Sequence, residues 1–411
     1  MSALKDVYIA TERHQSVRSD VQTKRKNPGS DTSCNHMPRN AYSYGPTRNY
    51  GHERENSRAI DGAADSLADL ETIVESSKCT NSLLNLSSDA SGSPLLMLEA
   101  LNPREEFLLS YFSENIAPEM VVMDDIHNGW RYLILPIAYT DELVMKAVTA
   151  VSTFHISNKT IDQKLSKTER LYEQAISGLK SRAALSQYNE QDRHFVFLTI
   201  IILLVGVMVN GYSDFPILFS ILQAGLQAIG GEAGLGKGEL ARFLVRQIRK
   251  LRVYAAPLLS PETGVYTILT HSQQSFDCLH HNSGLHPDLS STFDLIANLR
   301  QQAYDIYLHR ALLQSHSAWH SGQIEQFKLT LESLPEGTPG IHSLVWPTFI
   351  AASDSRLPEH RQFFQQFLEA QYLRNGFVNI LSALQLLQRI WTCEYDGTWP
   401  ALLPEPKVFI M

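Results

Sequence analysis

The sequence predicts an all-α fold, a large helical array behind a disordered N-terminal arm. Three observations lead there. From about Asn102 onward, apolar residues recur every three to four positions and strand-like alternation is scarce. Residues 1–60, by contrast, hold only six Leu, Ile, Val or Phe (Leu4, Val7, Ile9, Val17, Val21 and Ile60), too little apolar side chain to offset the entropy of ordering. The whole chain of 411 residues, 44% AVILMFWYC and 19% charged, has the composition of a soluble protein with a sizeable core.

Taken in order, residues 1–60 read as a disordered basic arm. Ten Lys and Arg face six Asp and Glu there, and Lys24-Arg25-Lys26 is either a nuclear-import address or a solvated charge run. The overall charge of −8 therefore leaves −12 on residues 61–411. Residues 61–102 reverse the sign: seven acids (Asp61, Asp65, Asp69, Glu71, Glu75, Asp89, Glu99) accompany one basic residue, Lys78, with leucines between them. Such a mixture fits an acidic Ser/Leu-rich linker with one short helix over 66–75, or a disordered activation segment.

Residues 103–411 form the predicted helical body. Asn102-Pro103 is a cap followed by a first-turn proline, and Phe107, Leu108, Tyr111, Phe112 and Ile116 lie at helical spacing behind it. Further helices are predicted near 139–157, 160–185, 192–210, 215–229, 238–254 and 289–315. The stripes Phe363, Phe364, Phe367, Leu368, Tyr372 and Phe377, Leu381, Leu384, Leu387, Trp391 add two more. Gly230-Gly231, Leu334–Gly340 and Leu357-Pro358 mark loops. The 15-residue apolar run Phe195–Val209 is shorter than the about 20 residues of a membrane span and is predicted to be a buried helix, with no membrane partner.

Four scattered cysteines (Cys34, Cys79, Cys278, Cys393) without a CxxC pair fit a reducing compartment, where the sequons at Asn85 and Asn158 carry no meaning. Three motifs invite chemistry. Gly231 to Gly238, with Lys237, matches most of a phosphate loop, but Gly238 stands where Mg²⁺ needs a hydroxyl and a helix precedes it instead of a strand. Cys278, His280 and His281, with His271 upstream, lack the paired spacing of a zinc site. Asp124-Asp125 in an all-α chain is similar to the metal-binding aspartates of class I terpene cyclases, but no third acid or partner motif follows. GxSxG and HExxH are both missing, so no enzyme and no cofactor are expected.

Four blocks in order resemble one family. They are Phe107–Phe112 with Ile116-Ala-Pro118; Leu133-Ile-Leu-Pro136-Ile-Ala138 with Ala147–His155; Phe276-Asp-Cys278 with Leu295–Leu299; and Ser343-Leu344-Val-Trp346-Pro347-Thr-Phe349-Ile-Ala-Ala352, followed by Arg361, Gly376-Phe377 and Trp391. Together they resemble, over about 103–403, the fungal-specific transcription factor domain, the helical regulatory region of Zn₂Cys₆ binuclear-cluster regulators. The family brings no catalytic residues. Leu344, Trp346, Pro347, Phe349, Pro136 and Trp391 are expected to be structural. Pro347 is expected to start or kink a helix and to push Trp346 out of α geometry.

The family's DNA-binding module needs six thiolates, and only Cys34 and Cys79 precede Asn102. Residues 33–45, with Cys34 followed by Met37 and Arg39, are either an eroded zinc-cluster remnant or coincidence, since a thioether cannot replace a zinc-bound thiolate. The resemblance implies a nuclear transcriptional regulator controlling a metabolic or secondary-metabolite gene set. It would act through its helical body and other transcription regulators, including a heterodimer with a zinc-cluster protein, and would reach DNA only indirectly. A small-molecule inducer fits the same reading. The alternative is a helical scaffold or small-molecule-binding protein with no role in transcription.

Overall fold

The computed structural model describes residues 102–159, 165–182, 184–313, 320–392 and 399–411. The arm over 1–60, the stretch 33–45 within it and the linker up to 101 lie outside the described residues. Among the described residues the fold is all-α, with no strand.

The first helix, α1 (Pro103–Asn115), starts where the sequence placed it: Asn102 Oδ1 accepts the amide of Arg104 at 3.1 Å and Pro103 is its first residue. Two short helices, α2 (Gly129–Tyr132) and α3 (Ile134–Ala138), lead to α4 (Glu142–Lys159) and α5 (Leu165–Ser181). The central element is α6 (Glu190–Asn210), capped by Asn189 Oδ1 on the Asp192 amide at 2.8 Å. Every residue from His194 to Val209 is buried, because α4, α7 (Phe215–Ala228), α8 (Glu239–Leu259) and the last long helix all pack on α6. A helix apolar all round needs such enclosure to leave water.

The second half contains α9 (Pro261–His271), α10 (Asp277–Leu285), α11 (Ser290–Leu313), α12 (His320–Glu332), α13 (Val345–Ser353), α14 (Pro358–Asn375) and α15 (Val378–Thr392). Helix α9 packs on α8, α11 on α13, and α13 on α14 and α15. One contiguous apolar core runs from Leu109 on α1 to Ile410 near the C-terminus, where Phe215 and Phe409 stack with centroids 5.3 Å apart.

Three local expectations change. Helix α8 runs through Pro257 to Leu259 instead of stopping near 254. Pro257 gives up one backbone hydrogen bond, but Val253, Tyr254, Ala255, Ala256 and Leu258 are all buried, which holds the turn helical. Helices α9, α10 and α12 were not distinguished in the periodicity, because α9 and α10 are short and mix polar residues into their inner faces. Trp346 lies inside α13 as its second residue, not outside α geometry. Pro347 is third in that helix, where amides have no intrahelical acceptor, so the proline costs no bond.

Candidate functional site

Helix α8 carries, besides Arg242, a cluster of four basic residues, Arg246, Arg249, Lys250 and Arg252. Their partners differ. Arg249 donates to Glu232 at 2.8 Å and to Asp277 at 2.5 Å, and Arg252 reaches Glu232 at 3.0 Å. Lys250 turns the other way. Phe243, Gln247, Lys250 and Tyr254 follow helical spacing along the inner stripe of α8, and Lys250 is only 9% exposed. On α11, Phe293, Ile296, Arg300, Tyr304 and Tyr307 form a similar stripe, with Arg300 1% exposed.

These two stripes meet at a partly open cavity of about 80 Å³. A single water needs about 10–15 Å³ of such space, so the cavity has room for several waters or one small ligand. Phe243, Met208, Val345 and Ile380 supply apolar wall; Lys250, Arg300, Tyr254 and His342 supply polar groups. The one carboxylate on the lining, Glu119, is held by Arg374 at 3.1 Å. Among the described residues no carboxylate forms an ion pair with Lys250 or Arg300. Arg300 Nε and Nη1, the Tyr254 hydroxyl and His342 Nδ1 are buried without a hydrogen-bond partner. The Tyr304 hydroxyl, hydrogen-bonded with Ser275 Oγ at 2.8 Å, also lies beside the Tyr254 hydroxyl.

The electrostatics follow from that enclosure. Burial pulls the Lys250 ammonium below the ordinary lysine value, and the Arg300 charge pulls the same way while Cys278 opposes it. Burial lifts the Tyr254 phenol, with Arg300 opposing. Burial likewise lowers His342, whose Nε2–H donates to the Val121 carbonyl at 2.6 Å. Burying such groups without counter-ions is costly, and the cavity lining holds both side chains.

The residues singled out from the sequence occupy several places. Leu344 and Phe349 are buried at 0% exposure, as is Trp346, and Pro347 is buried beside them. Trp346 stacks on Tyr254 with centroids 4.9 Å apart and planes 12° off parallel, so it backs the cavity wall from behind. Trp391 on α15 is half-buried and donates Nε1–H to the Ala352 carbonyl of α13 at 2.9 Å, with the Arg361 guanidinium over its ring. Pro136 is exposed on α3, apart from this group.

The other motifs fold into structural roles. Glu232 in the glycine-rich loop holds Arg249 and Arg252, and Gly231 and Gly236 have φ of 83° and 80°, which other residues rarely adopt. The glycines there answer a turn requirement, and Lys237 is exposed. Asp124 pairs with Arg131 and Asp125 accepts from His286 at 2.7 Å. Cys278 donates to the Arg246 carbonyl at 3.6 Å, and His280 is exposed. Among the described residues no three His, Cys, Asp or Glu side chains are grouped to hold a metal ion.

Sequence reasoning missed Lys250 and Arg300. A signal was present: each charged residue sits at a position of an apolar stripe where the period demands a core side chain.

A family model described as the fungal specific transcription factor domain matches residues 107–249 and 246–399. That span contains nearly the whole described body and all but the last residue of the cavity lining. The family is a regulatory domain and not a catalytic one. No curated protein and no solved structure matches the chain.

Proposed function

Because the chain belongs to the fungal-specific transcription factor domain family, we propose that it is a nuclear regulator of transcription whose helical body responds to a small molecule. It acts on a metabolic or secondary-metabolite gene set through other transcription regulators, foremost by pairing with a protein that carries an intact zinc cluster. The family match across the helical body carries this reading. The cysteine content supports the partner-dependent part, since four thiols cannot supply the six of a binuclear cluster. The charge of −12 on residues 61–411 opposes the phosphate contacts that give non-specific DNA affinity.

Chromatin immunoprecipitation of the tagged protein, with and without its zinc-cluster partner, tests the reading. Promoter occupancy that disappears with the partner is the expected result. A nanomolar, sequence-specific shift of DNA by the purified chain at physiological salt, or two zinc ions bound per chain, overturns the partner-dependent mechanism. A second reading, a small-molecule-binding protein without a role in transcription, draws on the cavity itself. Cytosolic location with no promoter occupancy would favour it.

A further inference from the structure

The cavity between α8 and α11 presents a specific chemical problem. Its interior holds a guanidinium and an ammonium that the surrounding helices have taken out of water and left without a carboxylate. Solvation does not explain Arg300, which is 1% exposed with two nitrogens that have no acceptor. The same fold supplies a carboxylate to the buried Arg310 farther along α11, from Asp354 at 2.6 Å, whereas Arg300 has only the face of the Tyr254 ring, 6.0 Å from its guanidinium carbon. A ligand carrying negative charge would supply the counter-ion that the protein does not.

We propose that the cavity binds a small organic acid, its carboxylate taken up by Lys250 and Arg300 and its hydrocarbon part lying against Phe243, Met208 and Ile380. The lining decides among anions. A guanidinium offers paired N–H donors for a carboxylate, and the Lys250 amine adds positive charge when protonated. Inorganic phosphate would bring charge but leave the apolar walls unfilled. A neutral molecule of the same size would leave both cations uncompensated. The space of about 80 Å³ matches one small acid. Trp346, stacked on Tyr254, connects the occupied cavity to α13 and so to α14 and α15, which pack on it.

This assignment rests on the reading of the body as a small-molecule sensor, and its test is independent of promoters. The purified full-length chain is titrated by calorimetry and followed by thermal melting with sodium hexanoate and sodium phenylacetate. Hexan-1-ol serves as the neutral counterpart and inorganic phosphate as the bare anion. Saturable binding of at least one acid is expected, with a raised melting temperature. The alcohol and phosphate should be weaker by about tenfold or more, the value of one charge-assisted hydrogen bond. Lys250→Met and Arg300→Met should each weaken the acid by a similar factor, while Arg300→Lys keeps part of the affinity.

Equal binding of alcohol and acid overturns the proposal without any variant. So does binding of neither acid, or phosphate binding as well as the acids. Folded variants that bind the acid as the parent does also overturn it. Acid binding without promoter occupancy would retire the regulatory reading and leave the ligand class standing; occupancy without acid binding would do the reverse.

Discussion

Arg310 Nε donates to Asp354 Oδ1 at 2.6 Å, with the two side chains only 5% and 2% exposed. Trp399 Nε1 donates to the same oxygen at 2.9 Å. Helix α11 thus buries two arginines ten positions apart in different settings: Arg310 has a carboxylate and Arg300 has none. Removing one member of a buried pair leaves the other as an uncompensated charge, at a cost of about 3–5 kcal/mol. Asp354→Ala should therefore lower stability by about that amount in urea or guanidinium unfolding. It strands both Arg310 and the Trp399 N–H.

The ligand-free cavity predicts the opposite sign. Lys250→Met exchanges a buried ammonium that has no counter-ion for an apolar chain of similar length. Such exchanges are neutral or stabilising, by about 1 kcal/mol or more. Melting of the ligand-free variant should occur at or above the parental temperature. A marked loss of stability would mean that Lys250 holds the fold together.

His155 predicts an acid-sensitive stability. Its Nε2–H donates to the Asn375 carbonyl at 2.5 Å, which leaves Nδ1 to accept from the Tyr111 hydroxyl at 3.2 Å, so the neutral tautomer is the one that fits. Burial lowers it from the ordinary 6.5 to about 4; the Asn375 carbonyl opposes this and the Lys159 charge adds to it. The folded pKa is below the unfolded one, so the unfolded chain binds the proton first. The contribution is fully present above pH 6.5 and is lost as pH falls from there toward 4, by about 3 kcal/mol. Unfolding free energies of the parent and of His155→Gln across this window should differ in slope by close to one proton.

Trp346→Ala removes an indole that is 0% exposed and stacked on Tyr254. Loss of a large buried aromatic costs about 3–5 kcal/mol, enough to unfold a marginal domain. Equilibrium denaturation measures it. A variant melting within a degree or two of the parent would place the energetic role of Trp346 elsewhere.

Lys237→Ala tests the glycine-rich loop. The Lys237 side chain is exposed, and the loop is held by Glu232 and its two arginines. Melting temperature should be unchanged within error, and neither parent nor variant should bind ATP in a filter or calorimetric assay.

What the sequence determined by itself is the helical class and its main segments. The reason is local: the period of the apolar residues and the cap at Asn102 are set by neighbours a few residues apart. The family could be read for the same reason, because its blocks are contiguous stretches such as Leu344 to Ala352. Only tertiary structure decided which cation of the run Arg246–Arg252 turns inward, since that depends on where Glu232 and Asp277 lie across the fold. It also decided that Arg310 finds Asp354, 44 residues away, while Arg300 on the same helix finds no acid. Burial and ion pairing are properties of distances between helices, and no spacing along the chain encodes those distances.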